Sequence, residues 1–284
     1  MNINAFIRLT RLEHAVMLCA AVLVGEIIAL GQLPDLQYIL LTFFPPFLIE
    51  IASFSINDLF DVDTDTANKR YDRPLVTGDA KLGEAFFISI AGFLVGVMAA
   101  LLISVPAFVV ALLFGAFAFL YSYKLKDMPL AGNIYIATTM AIPFIFGNLA
   151  VLKPLSSSIM LLALIAFMAG LGREILGTVR DMEGDVAARK SRTLPVIIGK
   201  QLALLLAAVL LIIAVILSVI PFTYLSAYKG DYNYLIPVAV ADVLLLYVAA
   251  RAIGDSEDFL SRARLITLAA LGFGLIAFLL GAIY

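Results

Sequence analysis

Carboxylate side chains are concentrated in one polar stretch of the sequence, residues 55–78. Within it, Asn57, Asp61 and Asp65 are spaced four residues apart, and Asp58 lies beside the first of them. If a helix continues through the stretch, the side chains spaced four apart lie on one face over two turns. Carboxylates at this spacing repel one another, and Mg²⁺ is typically bound by one or two carboxylates together with phosphate oxygens and water. The pattern therefore predicts a binding site for a divalent cation.

A second acidic row lies in the later half of the chain. It comprises Glu174, Thr178, Asp181 and Asp185. Their spacing of three or four residues places these side chains on one face of a helix. Two acidic rows with basic residues between them match the requirements of a two-metal diphosphate site, in which the metal ions neutralise the charge that develops as a C–O bond breaks. We therefore predict that the aspartates of both rows bind metal ions.

Basic residues near the two rows are candidates for binding a diphosphate. Arg73 is followed by Pro74, which fixes the local turn, and the guanidinium can bind two phosphate oxygens at once. Lys69 lies in the same stretch, and Lys190 follows the second row. The alternative role for Arg73 is contact with lipid headgroups at the membrane interface.

Tyr121, Lys124 and Lys126 form a third polar group, at the end of an apolar run. A lysine ammonium at this place can contact a diphosphate, and the aromatic ring can stabilise a developing carbocation. Either lysine fits this role, and the same residue types are also common anchors at membrane interfaces. Glu50, about two turns before Asp58 within an apolar run, is a candidate for contact with a second substrate.

The first acidic stretch also permits two simpler interpretations. One is an ordinary solvated face at a membrane surface. The presence of two acidic rows in helical register makes this interpretation less suitable. The other is a calcium-binding loop over residues 61–72, which has acids at loop positions 1, 3 and 5. However, Thr66 occupies the position that needs glycine, and Asp72 replaces the usual glutamate. An EF-hand is therefore not expected.

The sequence around these motifs is strongly apolar. Of the 284 residues, 63% are hydrophobic and 14% are charged, whereas soluble domains carry about 25% charged residues. Apolar runs of about twenty residues recur along the chain, long enough to cross a hydrocarbon core of roughly 30 Å. We predict an all-α, polytopic membrane protein, with one domain over residues 1–284. The nine predicted transmembrane helices are at approximately residues 12–31, 36–58, 84–103, 106–122, 130–152, 157–180, 201–224, 233–253 and 264–284.

The single cysteine and single histidine exclude a disulfide framework and a metal cluster of thiolates or imidazoles within the chain. The basic residues predict the orientation. If successive loops alternate sides, all but three of the 19 Lys and Arg residues fall on the side of the N-terminus. The exceptions are Lys153 and Lys229 on the other side and Arg173 inside a helix. The positive-inside rule then places the N-terminus and the mouth of the site in the cytoplasm, in a multi-pass protein of the cell membrane.

A secondary transporter that uses carboxylates for cation coupling is the alternative from another functional class. Transporters usually carry their charged sites near the bilayer midplane, on broken helices of repeated halves. In this sequence the acidic residues crowd one membrane face, and no internal repeat is evident. The pattern therefore favours an enzyme.

Short motifs connect these candidate residues. Residues 57–65 read Asn-Asp-x-x-Asp-x-x-x-Asp, and residues 73–78 read Arg-Pro-x-x-x-Gly. Residues 181–185 read Asp-x-x-x-Asp, and Thr-Leu-Pro follows at residues 193–195. Together they resemble the signature motifs of the UbiA superfamily of intramembrane prenyltransferases, and the resemblance covers the whole chain.

The resemblance implies a nine-helix bundle around a central cavity that opens to the cytoplasm and laterally to lipid. It also implies transfer of an isoprenyl group from an allylic diphosphate, with two Mg²⁺ ions as cofactors. The implied metal ligands are Asn57, Asp61 and Asp65 for one ion and Asp181 and Asp185 for the other, with Asp58 also in the motif. The residues implied to act on the diphosphate and the reacting carbon are Asp61, Asp181, Arg73, Tyr121 and one of Lys124 and Lys126.

Within the family, the sequence is most similar to an archaeal branch that alkylates the free hydroxyl of geranylgeranylglyceryl phosphate to form an ether lipid. Residues 10–14 depart from the Arg-Pro-x-Asn of many members, in a region that bears on the acceptor. The alternative acceptor is an aromatic compound of quinone biosynthesis. The expected partners are the prenyl diphosphate donor, the lipid-like acceptor and the membrane lipids; no nucleic acid and no obligate protein partner is expected.

Overall fold

The computed structural model describes residues 1–67, 69–189, 192–254 and 257–283, with the backbone alone at residues 185, 188, 189, 257 and 258. Within these ranges the regular secondary structure is helical, apart from irregular turns, and no strand occurs. Nine of the described helices are long and apolar enough to cross a membrane. The predicted all-α, nine-helix membrane architecture is therefore confirmed for the described part of the chain.

The elements follow one another without long loops, and a 3₁₀ turn at Leu125–Asp127 separates α6 from α7. The helices are α1 (Ile3–Thr10), α2 (Leu12–Leu30), α3 (Leu36–Ala67), α4 (Pro74–Thr77), α5 (Leu82–Ile103), α6 (Val105–Tyr123), α7 (Ala131–Ala150), α8 (Ser157–Arg189), α9 (Leu194–Ile198), α10 (Lys200–Tyr224), α11 (Tyr232–Ala252) and α12 (Glu257–Ile283).

Three of the predicted boundaries are wrong by more than a turn. The helix predicted at 36–58 continues to Ala67, the one predicted at 157–180 continues to Arg189, and the one predicted at 264–284 begins at Glu257. Hydropathy marks only the part of a helix that lies in hydrocarbon. The backbone hydrogen bonds of a helix need no apolar surroundings, so α3, α8 and α12 extend beyond the apolar run and carry charged residues out to the interface.

Two one-turn helices sit beside the ends of the acid-bearing helices. In α4, Arg73 is the N-cap, Pro74 occupies the first helical position, and Gly78 ends the turn with a φ of 79°. Proline suits the start of a helix because its missing N–H has no partner there, and glycine tolerates the left-handed conformation at the end. The Arg-Pro-x-x-x-Gly motif therefore forms a compact turn that packs on α3 and presents Arg73 at its N-terminus.

The bundle is held together by close helix crossings at small residues. A Cβ atom added to Gly147 on α7 would lie 2.0 Å from the carbonyl oxygen of Val22 on α2, and one added to Gly25 on α2 would lie 2.2 Å from that of Phe144 on α7. Only glycine allows this approach, as is typical of packed membrane helices. Further close pairs are α3 with α5, α8 with α7 and α10, and α11 with α12.

Candidate active site

A cavity of about 690 Å³ opens among the helices, and its lining includes side chains of α2, α3, α6, α7, α8, α10, α11 and α12. Both predicted acidic rows reach it. Asn57, Asp61 and Asp65 line it from α3, and Thr178 and Asp181 line it from α8. The two helices carry their acidic ends to the same cavity, which is the arrangement that one shared ligand requires.

The first row is held by cations from distant parts of the chain. The Asn57 side-chain amide donates a hydrogen bond to Asp61 Oδ2 at 3.1 Å, which confirms that the helix continues through this stretch. Lys126 Nζ lies 2.5 Å from Asp61 Oδ1, and Arg73 Nε lies 3.6 Å from Asp65 Oδ2. Each carboxylate of the row therefore has a positive charge close to it.

Asp58 points away from the cavity lining. Its side chain is 1% exposed, and its Oδ1 lies 2.6 Å from Arg11 Nη2 and 3.5 Å from Arg73 Nη1. The motif places Asp58 among the predicted metal ligands, but this geometry makes it an anchor for two guanidinium groups. Its place in the site is thus one of support for the residues that face the cavity.

Arg11 connects α1 to α2 in a left-handed backbone conformation, with φ 48° and ψ 58°. This conformation is unusual for a residue with a side chain and persists where surrounding contacts fix it. Here the contacts are Asp58 and the Phe54 ring, whose centroid lies 4.3 Å from the guanidinium carbon. Burial lowers the pKa of Arg11 to about 10, and the positive charges of Arg73 and Arg264 act in the same direction, while Asp58 opposes them.

The second row has local partners. Arg180 donates two hydrogen bonds to the neighbouring Asp181, at 2.7 and 2.5 Å, and the Asp181 side chain remains 44% exposed. Thr178 Oγ1 accepts a 2.6 Å hydrogen bond from Asn133 of α7. The side chain of Asp185 and the whole of Lys190 lie outside the described residues.

The sequence did not decide between Lys124 and Lys126, and the positions of their side chains distinguish them. Lys126 lines the cavity and pairs with Asp61, whereas Lys124 is exposed and lies away from the lining. Lys69, also predicted to bind diphosphate, is likewise exposed and outside the lining. Tyr121 and Glu50 also line the cavity. The Tyr121 ring stacks on that of Tyr135, with centroids 5.2 Å apart, so the wall beside Lys126 is aromatic.

The first row fits a magnesium ion that is completed by substrate. Across the parts of the chain that the structure describes, no three His, Cys, Asp or Glu side chains converge into a ready-made metal site. Magnesium needs fewer, because it usually binds one or two carboxylates and keeps positions for phosphate oxygens and water. Asn57 Oδ1 is buried and has no hydrogen-bond partner among the described residues. This oxygen and the neighbouring Asp61 carboxylate are a suitable pair of hard ligands.

Several residues that line the cavity are absent from the predicted site. They are Arg11, Arg70, Tyr135, Arg173 and Arg264. Arg70 forms a bidentate pair with Asp72 at 2.9 Å, which raises the pKa of Arg70 and holds the pKa of Asp72 well below its usual range. The one available sequence signal was an arginine inside an apolar run, as at Arg173, since a charge there usually faces a cavity or a partner.

The sequence model of the UbiA prenyltransferase family matches residues 18–271, which is most of the chain. The chain belongs to this family. The predicted family is thereby confirmed, and with it the expectation of a prenyltransferase.

Individual relatives agree with the family assignment over nearly the full length. Digeranylgeranylglyceryl phosphate synthase of Archaeoglobus fulgidus is 40% identical over 275 residues, which cover 96% of this chain and 94% of the relative. A solved structure from work on digeranylgeranylglyceryl phosphate synthase in membranes superimposes with a TM-score of 0.75 and 30% identity, covering 99% of this chain and 98% of that one.

A more distant structure shares the fold. It is a UbiA homolog from Archaeoglobus fulgidus bound to DMAPP and Mg²⁺, with a TM-score of 0.62 and 22% identity, covering 96% of this chain and 98% of that one. This likeness shows the same fold over nearly the whole helix bundle.

Proposed function

We propose that this protein transfers a geranylgeranyl group from its allylic diphosphate to the free hydroxyl of geranylgeranylglyceryl phosphate, in a Mg²⁺-dependent reaction. The observation that carries the proposal is the convergence of the α3 and α8 acidic rows on one cavity, together with Lys126 and Arg73. The choice of acceptor is supported by the 40% identity to a digeranylgeranylglyceryl phosphate synthase over nearly the whole chain. A prenyltransferase of quinone biosynthesis would share the donor site but use an aromatic acceptor.

The metal ligands that we propose come from both rows. Asn57, Asp61 and Asp65 would hold one Mg²⁺, and Asp181 with Asp185 would hold a second. Bound Mg²⁺ supplies positive charge to the diphosphate, which makes it a better leaving group. The presence of DMAPP and Mg²⁺ in the A. fulgidus UbiA homolog supports Mg²⁺ as the cofactor.

The chain's own cations then position the diphosphate. Lys126 and Arg73 already lie beside Asp61 and Asp65, so they are placed to donate hydrogen bonds to phosphate oxygens near the same carboxylates. Charge-assisted hydrogen bonds aimed at a developing negative charge stabilise the transition state more than the ground state. Lys124 and Lys69, being exposed, are assigned no contact with the substrate.

The reaction that we propose breaks one C–O bond and forms another. The diphosphate leaves with the electron pair of its bond to C1, and the allylic cation that remains faces the Tyr121 and Tyr135 rings, whose π-electron faces favour positive charge. The acceptor hydroxyl oxygen attacks C1 to form the ether. Its proton passes to the departing diphosphate or to an aspartate of the rows.

The cavity mouth is assigned to the cytoplasmic side of the cell membrane. The excess of Lys and Arg on the side of the N-terminus supports this orientation. The cavity draws its lining from eight of the helices, so we also propose that residues 1–284 act as one catalytic domain.

Acceptor choice is the decisive test. Purified protein in lipid nanodiscs is supplied with radiolabelled geranylgeranyl diphosphate and either geranylgeranylglyceryl phosphate or 4-hydroxybenzoate, with Mg²⁺ or with EDTA. We expect labelled ether product only with the glyceryl phosphate lipid and only with Mg²⁺. Product with the aromatic acid alone would show that the protein is a prenyltransferase of the quinone-biosynthesis type. An absence of prenyl transfer to either acceptor would refute the proposed function.

A further inference from the structure

One cation that lines the cavity has no partner within the described residues. Six others are paired with carboxylates: Arg11 with Asp58, Arg70 with Asp72, Arg73 with Asp65, Lys126 with Asp61, Arg173 with Glu174, and Arg180 with Asp181. The half-buried side chain of Arg264, on α12, makes no hydrogen bond and no ion pair with any residue that the structure describes. A half-buried charge without a counter-charge is costly, so this position calls for an anion.

Other cations surround Arg264. The positive charges of Arg180 and Arg173 act on it, followed by those of Arg70 and Arg73. Arg173 contributes a second unsatisfied group, because its side chain is 10% exposed and its Nε is buried without a hydrogen-bond partner among the described residues. We call Arg173 and Arg264 the basic wall.

The basic wall is separate from the first acidic row. Arg264 reaches the cavity from α12, which packs on α2, α8 and α11, whereas Asn57 and Asp61 reach it from α3, which packs mainly on α2, α5 and α6. Arg173 precedes Asp181 by two turns of α8, which corresponds to roughly 12 Å along the helix axis. Arg173 therefore lies deeper along α8 than Asp181, beside Glu174, the first member of the second acidic row.

We propose that the basic wall binds the phosphate monoester head of the acceptor lipid, as a subsite distinct from the diphosphate site beside Asp61, Asp65 and Asp181. This inference rests on the proposed prenyl transfer. The donor's diphosphate has its own ligands in Lys126, Arg73 and the acidic rows. The planar guanidinium of arginine matches a phosphate with two parallel hydrogen bonds, and it keeps its charge in a partly buried site.

A subsite of this kind would set acceptor specificity. An alcohol that lacks the phosphate would leave Arg264 unpaired in the complex, and an enzyme discriminates strongly against a ligand that leaves its buried polar groups without partners. The phosphate would also fix the position of the glycerol hydroxyl relative to C1 of the donor, because the two anionic groups would be held at separate places in one cavity.

The test compares two acceptors in one variant, Arg264→Gln. The acceptors are geranylgeranylglyceryl phosphate and its dephosphorylated alcohol, geranylgeranylglycerol. We expect the KM for the phosphorylated acceptor to rise about tenfold or more, because hydrogen bonds to charged groups are the stronger class. The KM for the donor should change less than about twofold, and the activity with the alcohol should not fall, because the alcohol has no phosphate for Arg264 to bind. Arg262→Gln is the matched control, since it removes the same charge two residues away on an exposed part of α12.

A measurement on the unaltered protein makes the test independent of folding in the variant. Glycerol phosphate should inhibit competitively against the acceptor and not against the donor. Competition against the donor alone, or equal losses with the two acceptors in Arg264→Gln, would overturn the subsite. If the unaltered protein transfers no prenyl group to either acceptor, the proposed function itself fails. If it transfers to both and Arg264→Gln changes neither, only the basic wall loses its assignment.

Discussion

The two acidic rows differ in how the protein holds them. On α3, the Asp61 side chain is 12% exposed and pairs with Lys126, which lies 65 residues away in sequence. On α8, the Asp181 side chain is 44% exposed and pairs with Arg180, the residue before it. The first row is thus built by tertiary contacts and the second by local ones.

This difference has a consequence for the order of events at the site. Asp61 is held in place before any substrate arrives, together with Asn57, whose Oδ1 has no hydrogen-bond partner among the described residues. Both oxygens of Asp181 accept hydrogen bonds from Arg180, and the exposure of the side chain leaves it room to move. The first row is preorganised, which is the condition under which electrostatic stabilisation is most effective, while the second can adjust to the bound diphosphate.

The largest expected effect concerns activity. Asp61→Asn and Asp181→Asn should each lower kcat about a hundredfold to a thousandfold, because each removes a carboxylate proposed to hold the Mg²⁺ that neutralises the leaving group. Steady-state prenyl transfer in nanodiscs measures this. Asp63→Asn and Glu183→Gln, which alter exposed acids outside the cavity lining on the same two helices, serve as controls. Unchanged turnover in Asp181→Asn would show that the second row has no role in catalysis, and it would contradict the comparison of the two rows.

A smaller effect separates the rows by stability. Asp58→Asn should destabilise the fold by about 3 kcal/mol, because it leaves Arg11 without its buried counter-charge and removes one of the carboxylates beside Arg73. Asp181→Asn should cost less than about 1 kcal/mol, since exposed pairs contribute little. Thermal unfolding of both variants in the same detergent gives the comparison. Equal changes in Tm would mean that the two rows are held alike.

The smallest expected effect distinguishes the two lysines. Lys126→Gln should raise the KM for the prenyl diphosphate about tenfold, because it removes a charge-assisted contact beside Asp61. Lys124→Gln, an identical change at an exposed position two residues away, should leave that KM unchanged. Initial rates at varied donor concentration measure both. The reverse ranking would place the wrong lysine in the site.

The first row shows how far the sequence could predict the site. The four-residue spacing of Asn57, Asp61 and Asp65 already implied a shared helix face, because the helical period alone decides it. The partners of that row could not be predicted, since Arg11 and Lys126 reach α3 only when α2 and the turn after α6 have packed. Arg264 was missed for the same reason: only the packing of α12 beside α2 and α8 brings it to the cavity.

The sequence by itself determined the class of the molecule: nine apolar segments, two acidic rows in helical register and the UbiA motifs. These are properties of local period and composition, which any helix carries regardless of its neighbours. Only the tertiary structure decided which lysine faces Asp61, that Asp58 anchors arginines instead of lining the cavity, and that Arg264 lines the same cavity as the two rows. Those facts depend on contacts between residues far apart in the chain, whose positions are set by how the helices cross.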